Sequence, residues 1–211
     1  MLVAIFFTNL PRINLGEILI MKSIIFATNN LHKLEEVQQI LHAKFKVMSL
    51  SEVGINEEIP EDHETLEENA MQKAEFVFAR TGLPTFADDT GLEVESLGNL
   101  PGVYSARYAG PDKISADNVK KLLHELKDES NRKARFRCAI AYISSDEKRI
   151  FNGIVEGKII HECRGRDGFG YDPVFVPDGN DLTFAEMSAD EKNKISHRGR
   201  AVSLLAEYLL K

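Results

Sequence analysis

Short apolar segments that suit buried strands alternate along this chain with segments of helical periodicity. Residues 22–28 contain the run IIFA, which is apolar on both faces, and Leu34, Val37, Ile40 and Leu41 then recur at helical spacing. Strands that alternate with helices are typical of α/β proteins. An antiparallel hairpin is also predicted near residues 136–155, so we expect a mixed sheet with enough elements for two lobes. Polar turns at the strand ends would then converge on a cleft.

The same patterns predict further elements: strands at 45–48 and from 85 to 87, and helices near 66–78, 115–126 and 204–209. Gly82 and Pro84 are expected to end the second helix, and Ser115 to cap the third. The segment Asp88-Asp89-Thr90-Gly91 directly after the third strand is interpreted as a polar turn.

The net charge of −7 arises in one place, because residues 57–68 hold seven carboxylates and no Lys or Arg. Most of these carboxylates are expected to face solvent or the N-terminus of the second helix. An acidic chain without a basic tail binds nucleic acid poorly, and we interpret the basic residues of segment 132–137 as a solvated strand face. The two cysteines, Cys138 and Cys163, form no CxxC pair, which suggests reduced thiols in a cytoplasmic protein.

The first 20 residues do not match a targeting segment. The apolar run at residues 2–7 is short, has no basic residues before it, and is followed by Pro11 and Arg12. Spanning a bilayer takes about 20 apolar residues, so no membrane partner is expected. We interpret residues 1–20 as an upstream extension, with a misassigned start as one explanation, and residues 21–211 as a single domain.

A polar turn, Thr28-Asn29-Asn30, lies between the first strand and the first helix, with Lys33 in the first helical turn. Free backbone N–H groups, the positive end of the helix dipole and a lysine together suit a phosphate. The turn lacks the glycines of a P-loop, so a plain capping role is an equally good alternative.

Two adjacent carboxylates, Asp88 and Asp89, follow a short apolar strand. Mg²⁺ prefers one or two carboxylates together with water and phosphate oxygens, and a metal held there would activate water. The alternative is an acidic turn that caps the next segment.

The C-terminal half holds a glycine-flanked aromatic segment, 168–173, followed by Lys192 and by residues 196–199. Glycines beside a ring let a flat group approach it, and the nearby donors suit base edges or anions. A tight turn and a helix cap are the competing interpretation.

Six motifs occur in one order: TNNLHK, ENAMQKA, FADDTGLEV, PGVYSARYAG, GFGYDPVF and EKNKISHRG. Together they resemble the nucleoside triphosphate pyrophosphatases that remove inosine and xanthosine triphosphates, from Met21 to Lys211. The resemblance implies an elongated α/β fold and a homodimer. It also implies Mg²⁺-dependent cleavage of ITP, dITP and XTP to the monophosphate and pyrophosphate.

The resemblance also implies roles for individual residues. Asp89 matches the family's proton acceptor and metal ligand, Asp88 would support it, and Lys33 would stabilise charge on the phosphates. Thr90 stands where the family usually has Ser. The expected substrate contacts are Thr28, Asn29, Asn30, Leu31, His32, Lys33, Lys73, Thr90, Phe169, Gly170, Tyr171, Asp172, Lys192, His197 and Arg198.

One segment departs from the family pattern. The family often has an acidic pair followed by Thr-Gly ahead of the ENA helix, whereas this chain has Pro60-Glu61-Asp62-His63. We align Glu61 with the residue that completes the metal site, and Glu64 and Glu68 are alternatives.

Base choice has a physical rationale. Donors such as Arg198 and His197 would donate hydrogen bonds to a 6-keto oxygen and would leave the amino group of adenine unpaired, at about 1–3 kcal/mol per mismatch. The alternatives are a related pyrophosphatase for other modified or standard nucleotides, or a catalytically silent nucleotide-binding regulator.

Overall fold

The computed structural model describes residues 22–42 and 44–211, so the interpretation of residues 1–20 lies outside it. Seven strands lie in this part of the chain: β1 (Lys22–Phe26), β2 (Phe45–Met48), β3 (Thr85–Val94), β4 (Leu100–Gly102), β5 (Lys133–Ile143), β6 (Lys148–Ile159) and β7 (Phe175–Pro177). It also holds five helices: α1 (Leu31–Leu41), α2 (Leu66–Thr81), α3 (Ser115–Glu125), α4 (Ala189–Ile195) and α5 (His197–Leu209).

All seven strands form one mixed sheet in the order β2-β1-β3-β5-β6-β7, with β4 paired to β3. β1 runs parallel to β2 and β3, and the remaining pairs are antiparallel. The predicted α/β class and the β5–β6 hairpin are therefore confirmed.

Three long strands, β3, β5 and β6, connect two lobes. At one end, α1 and α5 cover one face of the sheet and α2 covers the other, each over an apolar cluster. At the other end, α3 and β7 pack around Leu92, Phe136 and Phe175. The lobes therefore share strands, and a side chain in the middle of β3 lies between them.

One edge of β3 is unpaired in the middle. β1 pairs with it at Thr85 and Phe86, and β4 pairs with it only from Leu92 to Val94. Among the described residues, no strand pairs with residues 88–91 on this edge. This unpaired interval leaves an opening at the edge of β3, next to the point where the chain leaves β1 and enters α1.

The prediction of a turn at residues 88–91 is wrong, because these residues lie inside a strand of 10 residues. β5 pairs with β3 along its whole length, from Thr85 opposite Ile143 to Val94 opposite Ala134. This continuous ladder overrides the turn-forming composition of the segment.

Two smaller predictions are also corrected. The residue before α3 is Ile114, and no side chain caps that helix, so Ser115 is its first residue rather than its cap. The basic strand face is not simply solvated, because Arg135 and Arg137 both bind Glu93, at 2.6 and 3.1 Å.

Most of the acidic segment faces solvent, as expected, because five of its seven carboxylates are exposed. Besides Glu61, which binds Lys73, three of them pair with cations on other elements. These pairs are Glu57–Arg80 at 2.8 Å, Glu58–Lys113 at 3.1 Å and Glu67–Arg137 at 2.6 Å.

Candidate active site

A cavity of about 400 Å³ opens beside the unpaired interval of β3. It is lined by most of the residues expected from the sequence: Thr28, Asn29, Asn30, Lys33, Glu61, Lys73, Asp89, Thr90, Phe169, Gly170, Tyr171, Asp172, Lys192, His197 and Arg198. Asp88, Leu31 and His32 are not part of the lining. Leu31 is 71% exposed, and His32 stacks on the Phe169 ring with centroids 5.4 Å apart.

The turn after β1 is held by its own side chains. The hydroxyl of Thr28 accepts a hydrogen bond from Asn30 N at 3.2 Å, and Asn30 Oδ1 accepts from Lys33 N at 3.2 Å. The capping role considered from the sequence is therefore present. It also aims the Lys33 side chain at the sheet, where the Nζ atom lies 3.0 Å from Asp88 Oδ1.

Asp88 and Asp89 point to opposite faces of the sheet, because successive side chains of a strand alternate. Asp88 faces α1 and α5, where its Oδ2 accepts from Arg198 Nε and from the Thr90 hydroxyl, both at 3.1 Å. Although burial acts to raise the pKa of Asp88, Lys33 and Arg198 hold it far below its usual value. Asp88 is thus an ionised anchor for two cations.

Asp89 faces α2 and lines the cavity, with 8% of its surface exposed. Asn69 Nδ2 donates to its Oδ2 at 3.2 Å, and Lys73 Nζ lies 3.7 Å from its Oδ1. Lys73 also binds Glu61, which therefore lies across the ammonium from Asp89. Burial, with added repulsion from Glu61 and Asp88, raises the pKa of Asp89 above its usual value.

The side chains around Asp89 suit a hard divalent cation. No three His, Cys, Asp or Glu side chains within residues 22–42 and 44–211 converge as a ligand cluster. Mg²⁺ at nucleotide sites commonly uses one or two carboxylates and takes its other ligands from water and phosphate. Asp89 and Glu61 supply such a pair, and a cation would relieve the repulsion that raises the pKa of Asp89. Glu64 and Glu68 do not line the cavity, and Glu68 instead accepts from the Thr65 hydroxyl at 2.7 Å.

Phe169 lines the cavity, in a loop that requires glycine. Gly168 has a φ of +75°, and a Cβ there would come within 2.2 Å of Asp172 Oδ2. That same carboxylate oxygen accepts from Phe169 N at 2.8 Å and from Lys192 Nζ at 2.7 Å. Lys192 Nζ also lies 4.8 Å from the centre of the Phe169 ring. The ring is therefore fixed beside a buried ammonium.

Tyr171 has a structural contact in this loop, because its buried hydroxyl donates to Ser105 O at 2.9 Å. His197 stacks on Phe136 with centroids 4.6 Å apart. Burial and the nearby Arg198 and Lys192 hold the pKa of His197 well below its usual value, so the imidazole is neutral. Its Nδ1 is buried without a hydrogen-bond partner among the described residues.

Arg198 is less free to contact a base than the sequence suggested. It is 1% exposed, and its guanidinium binds Asp88 through Nε, Glu36 through one terminal nitrogen and Thr90 Oγ1 through the other, the last at 3.4 Å. These contacts hold the three groups in place.

The sequence model of the Ham1 family matches residues 24–208. The chain belongs to the Ham1 family. No helix in the described part of this Ham1 chain has the length and apolar character needed to cross a membrane.

Similar proteins include a dITP/XTP pyrophosphatase of Porphyromonas gingivalis, which is 54% identical over 90% of this chain and 98% of its own. A dITP/XTP pyrophosphatase of Bacillus subtilis is 48% identical over 90% of this chain and 98% of its own. A solved Ham1 protein from Coxiella burnetii superimposes with a TM-score of 0.82, at 40% identity, over 90% of this chain and 99% of its own.

The structure also adds two residues that the sequence did not single out, Glu36 and Asn69, which do not line the cavity but bind residues that do. Glu36 Oε1 accepts from Lys192 at 2.7 Å and its other oxygen binds Arg198, which keeps the pKa of Glu36 low despite burial. The sequence feature that could have identified Glu36 is its position one helical turn after Lys33. For Asn69 it is its place within the ENA motif. Arg107 and Lys113 also line the cavity.

Proposed function

We propose that this Ham1 family protein hydrolyses dITP, ITP and XTP to the nucleoside monophosphate and pyrophosphate, with Mg²⁺, as a cytoplasmic homodimer. The observation that carries the proposal is the set of groups that line one cavity. The carboxylates of Asp89 and Glu61, the lysine-bearing turn after β1 and the ring of Phe169 all contribute to its wall. The names of the similar pyrophosphatases support the same substrate class.

The triphosphate would lie along the turn at Thr28–Asn30. Backbone N–H groups at the start of α1 and the side chain of Lys33 would neutralise its charge. Lys73, held between Glu61 and Asp89, adds a second cation next to the reacting phosphorus. Preorganised cations of this kind stabilise a charged transition state without having to reorganise during the reaction.

Asp89 would take the proton from the water that attacks the α-phosphorus, and pyrophosphate would leave. Its carboxylate lies on the cavity wall, where it can accept a proton from water, and Asn69 holds it in position by donating to Oδ2. Mg²⁺, held by Asp89 and Glu61, would neutralise phosphate charge and make the water easier to deprotonate.

The purine would stack on Phe169. Its 6-keto oxygen would be selected by donors on the cavity wall, of which neutral His197 is better placed than Arg198, because Arg198 is already bound to three groups. An adenine amino group would face the same donors without a partner.

The test is a substrate panel of ITP, dITP, XTP, dUTP, GTP and ATP with Mg²⁺, with products separated by ion-exchange chromatography. We expect monophosphate and pyrophosphate from the first three substrates, and loss of both with EDTA. Release of diphosphate and orthophosphate would contradict the cleavage position, and preference for dUTP or GTP would favour a related pyrophosphatase. Binding of ITP without turnover above a no-enzyme control would indicate a silent regulator.

A further inference from the structure

The ring of Phe169 has little support from the apolar core. Residues 161–168 before it are all exposed, and the ring is part of none of the three apolar clusters in the described part of the chain. The backbone of the loop is held, because Phe169 N donates to Asp172 Oδ2 at 2.8 Å. That hydrogen bond does not fix the torsions of the side chain. Contacts to the ring itself must therefore set its orientation.

His32 supplies such a contact from another element. It is the second residue of α1, and its imidazole is nearly parallel to the Phe169 ring, with 14° between the planes and 5.4 Å between the centroids. This is the geometry of an offset stack between two aromatic rings. Among the residues that the structure describes, no other aromatic side chain stacks on Phe169.

The imidazole of His32 contacts the ring from outside the cavity wall. Phe169 lines the cavity, whereas His32 does not, and the His32 side chain is 64% exposed. The two cations near the ring do line the cavity. Lys192 Nζ lies 4.8 Å from the ring centre, and the guanidinium carbon of Arg198 lies 5.6 Å from it. The ring therefore has contacts both with groups of the cavity wall and with a solvent-exposed imidazole.

We propose that His32 is a positioning residue, which supports Phe169 from the side turned away from the cavity and holds the ring ready to stack on a purine base. The inference deepens the function proposed above and rests on it. Without this support the ring would move among rotamers, and ordering a side chain during binding weakens affinity. A second ring stacked on Phe169 orders it in advance, so the base binds more tightly.

The position of His32 at the start of α1 offers a competing role. Lys33 and the backbone N–H groups of the same turn are proposed to bind the triphosphate, so an imidazole there could contact phosphate instead. The two roles differ in the ligands that they affect. A residue that positions the Phe169 ring affects ligands that carry a base, such as ITP and IMP, and leaves inorganic pyrophosphate unaffected. A residue that contacts phosphate affects pyrophosphate as well.

The first test measures ITP hydrolysis with Mg²⁺, together with inhibition by IMP and by inorganic pyrophosphate. His32→Ala should raise the KM for ITP and the inhibition constant of IMP by about two- to tenfold, with a smaller change in kcat and an unchanged inhibition constant for pyrophosphate. His32→Phe should restore both raised constants, because a phenyl ring also stacks. His42→Ala is the matched control, since His42 is an exposed histidine at the other end of α1, and it should behave as wild type.

The second test determines whether His32 acts through Phe169. In a Phe169→Leu background, which lacks the ring, His32→Ala should raise the KM for ITP no further. Thermal unfolding followed by circular dichroism checks the fold of each variant. His32→Ala should melt with wild type, because the side chain is exposed and Ala is a better helix former than His.

A raised KM and a raised IMP constant in His32→Ala, both restored by His32→Phe and both absent in the Phe169→Leu background, would support the proposal. An unchanged KM, weaker inhibition by pyrophosphate, or an equal effect of His32→Ala with and without the Phe169 ring would overturn it and leave the proposed function standing. A wild type that does not hydrolyse ITP would overturn both.

Discussion

Asp88 and Asp89 are adjacent and chemically identical, yet the structure predicts opposite consequences when each is replaced by Asn. Asp88 neutralises two cations, Lys33 and Arg198, whose side chains are 15% and 2% exposed. Removing one partner of a buried ion pair costs about 3–5 kcal/mol. For a chain of this size 1 kcal/mol corresponds to about 2–4 °C, so Asp88→Asn should lower the melting temperature by roughly 6–20 °C.

Asp89→Asn should spare the fold and remove the activity. The pKa of Asp89 is raised in the folded state, so its ionised form subtracts from stability near pH 7, and an uncharged Asn removes that cost. Lys73 keeps Glu61 as its partner. The melting temperature should stay the same or rise, while loss of the base should lower the turnover of ITP at least about a hundredfold.

The assay is thermal unfolding followed by circular dichroism at pH 7 in EDTA, with ITP turnover measured on the same preparations in Mg²⁺. Each variant serves as the control for the other, because both remove one negative charge from the same strand. The reasoning would be refuted if Asp88→Asn melted with wild type, or if Asp89→Asn lost as much stability as Asp88→Asn.

Three further predictions follow from the same contacts. Glu61→Gln should raise the Mg²⁺ concentration for half-maximal ITP hydrolysis about tenfold, measured by metal titration at saturating ITP; an unchanged value would exclude Glu61 from the metal site. Phe169→Leu should raise the KM for ITP by roughly tenfold or more with a smaller change in kcat, because stacking a base on an aromatic ring contributes about 1–3 kcal/mol. The lowered pKa of Asp88 means that its ionised form stabilises the fold fully above the unfolded-state pKa near 4, and this contribution is lost as the pH falls. The urea midpoint of unfolding should therefore fall less between pH 6 and pH 3 in Asp88→Asn than in wild type. An equal fall in the two proteins would contradict the stabilising role of ionised Asp88.

The parts of the fold that the sequence predicted well are local. The strand, polar turn and helix of residues 22–41 follow from apolar spacing and from Asn30 as a cap, and all of these act within a few residues. The interval 88–91 could not be assigned in this way. Its composition favours a turn, and only pairing with β5, about 50 residues later, extends it as a strand.

In the candidate site too, local features could be predicted and long-range contacts could not. The sequence motifs contain most of the residues that line the cavity, but the contacts between these residues depend on partners that are distant in the chain. Arg198 reaches Glu36 across 162 positions and Asp88 across 110. A sequence pattern does not reveal that an arginine in one motif is bound to three groups of the same chain. For that reason the sequence did not single out Glu36.

The turn after β1 and the Phe169 loop, which we propose to bind the phosphates and the base, are joined by buried groups of alternating charge. The connection runs through Lys33, Asp88, Arg198, Glu36, Lys192 and Asp172, and ends at the backbone N–H of Phe169. Each charged group neutralises its neighbours. Displacing one would leave an unpaired charge in the protein interior, where an unpaired charge is costly. Lys33 and the Phe169 ring are thus held in one arrangement by contacts within the chain. We infer that Arg198 acts on base selection chiefly by keeping the turn and the loop in register, since preorganisation of this kind needs no direct contact with the base.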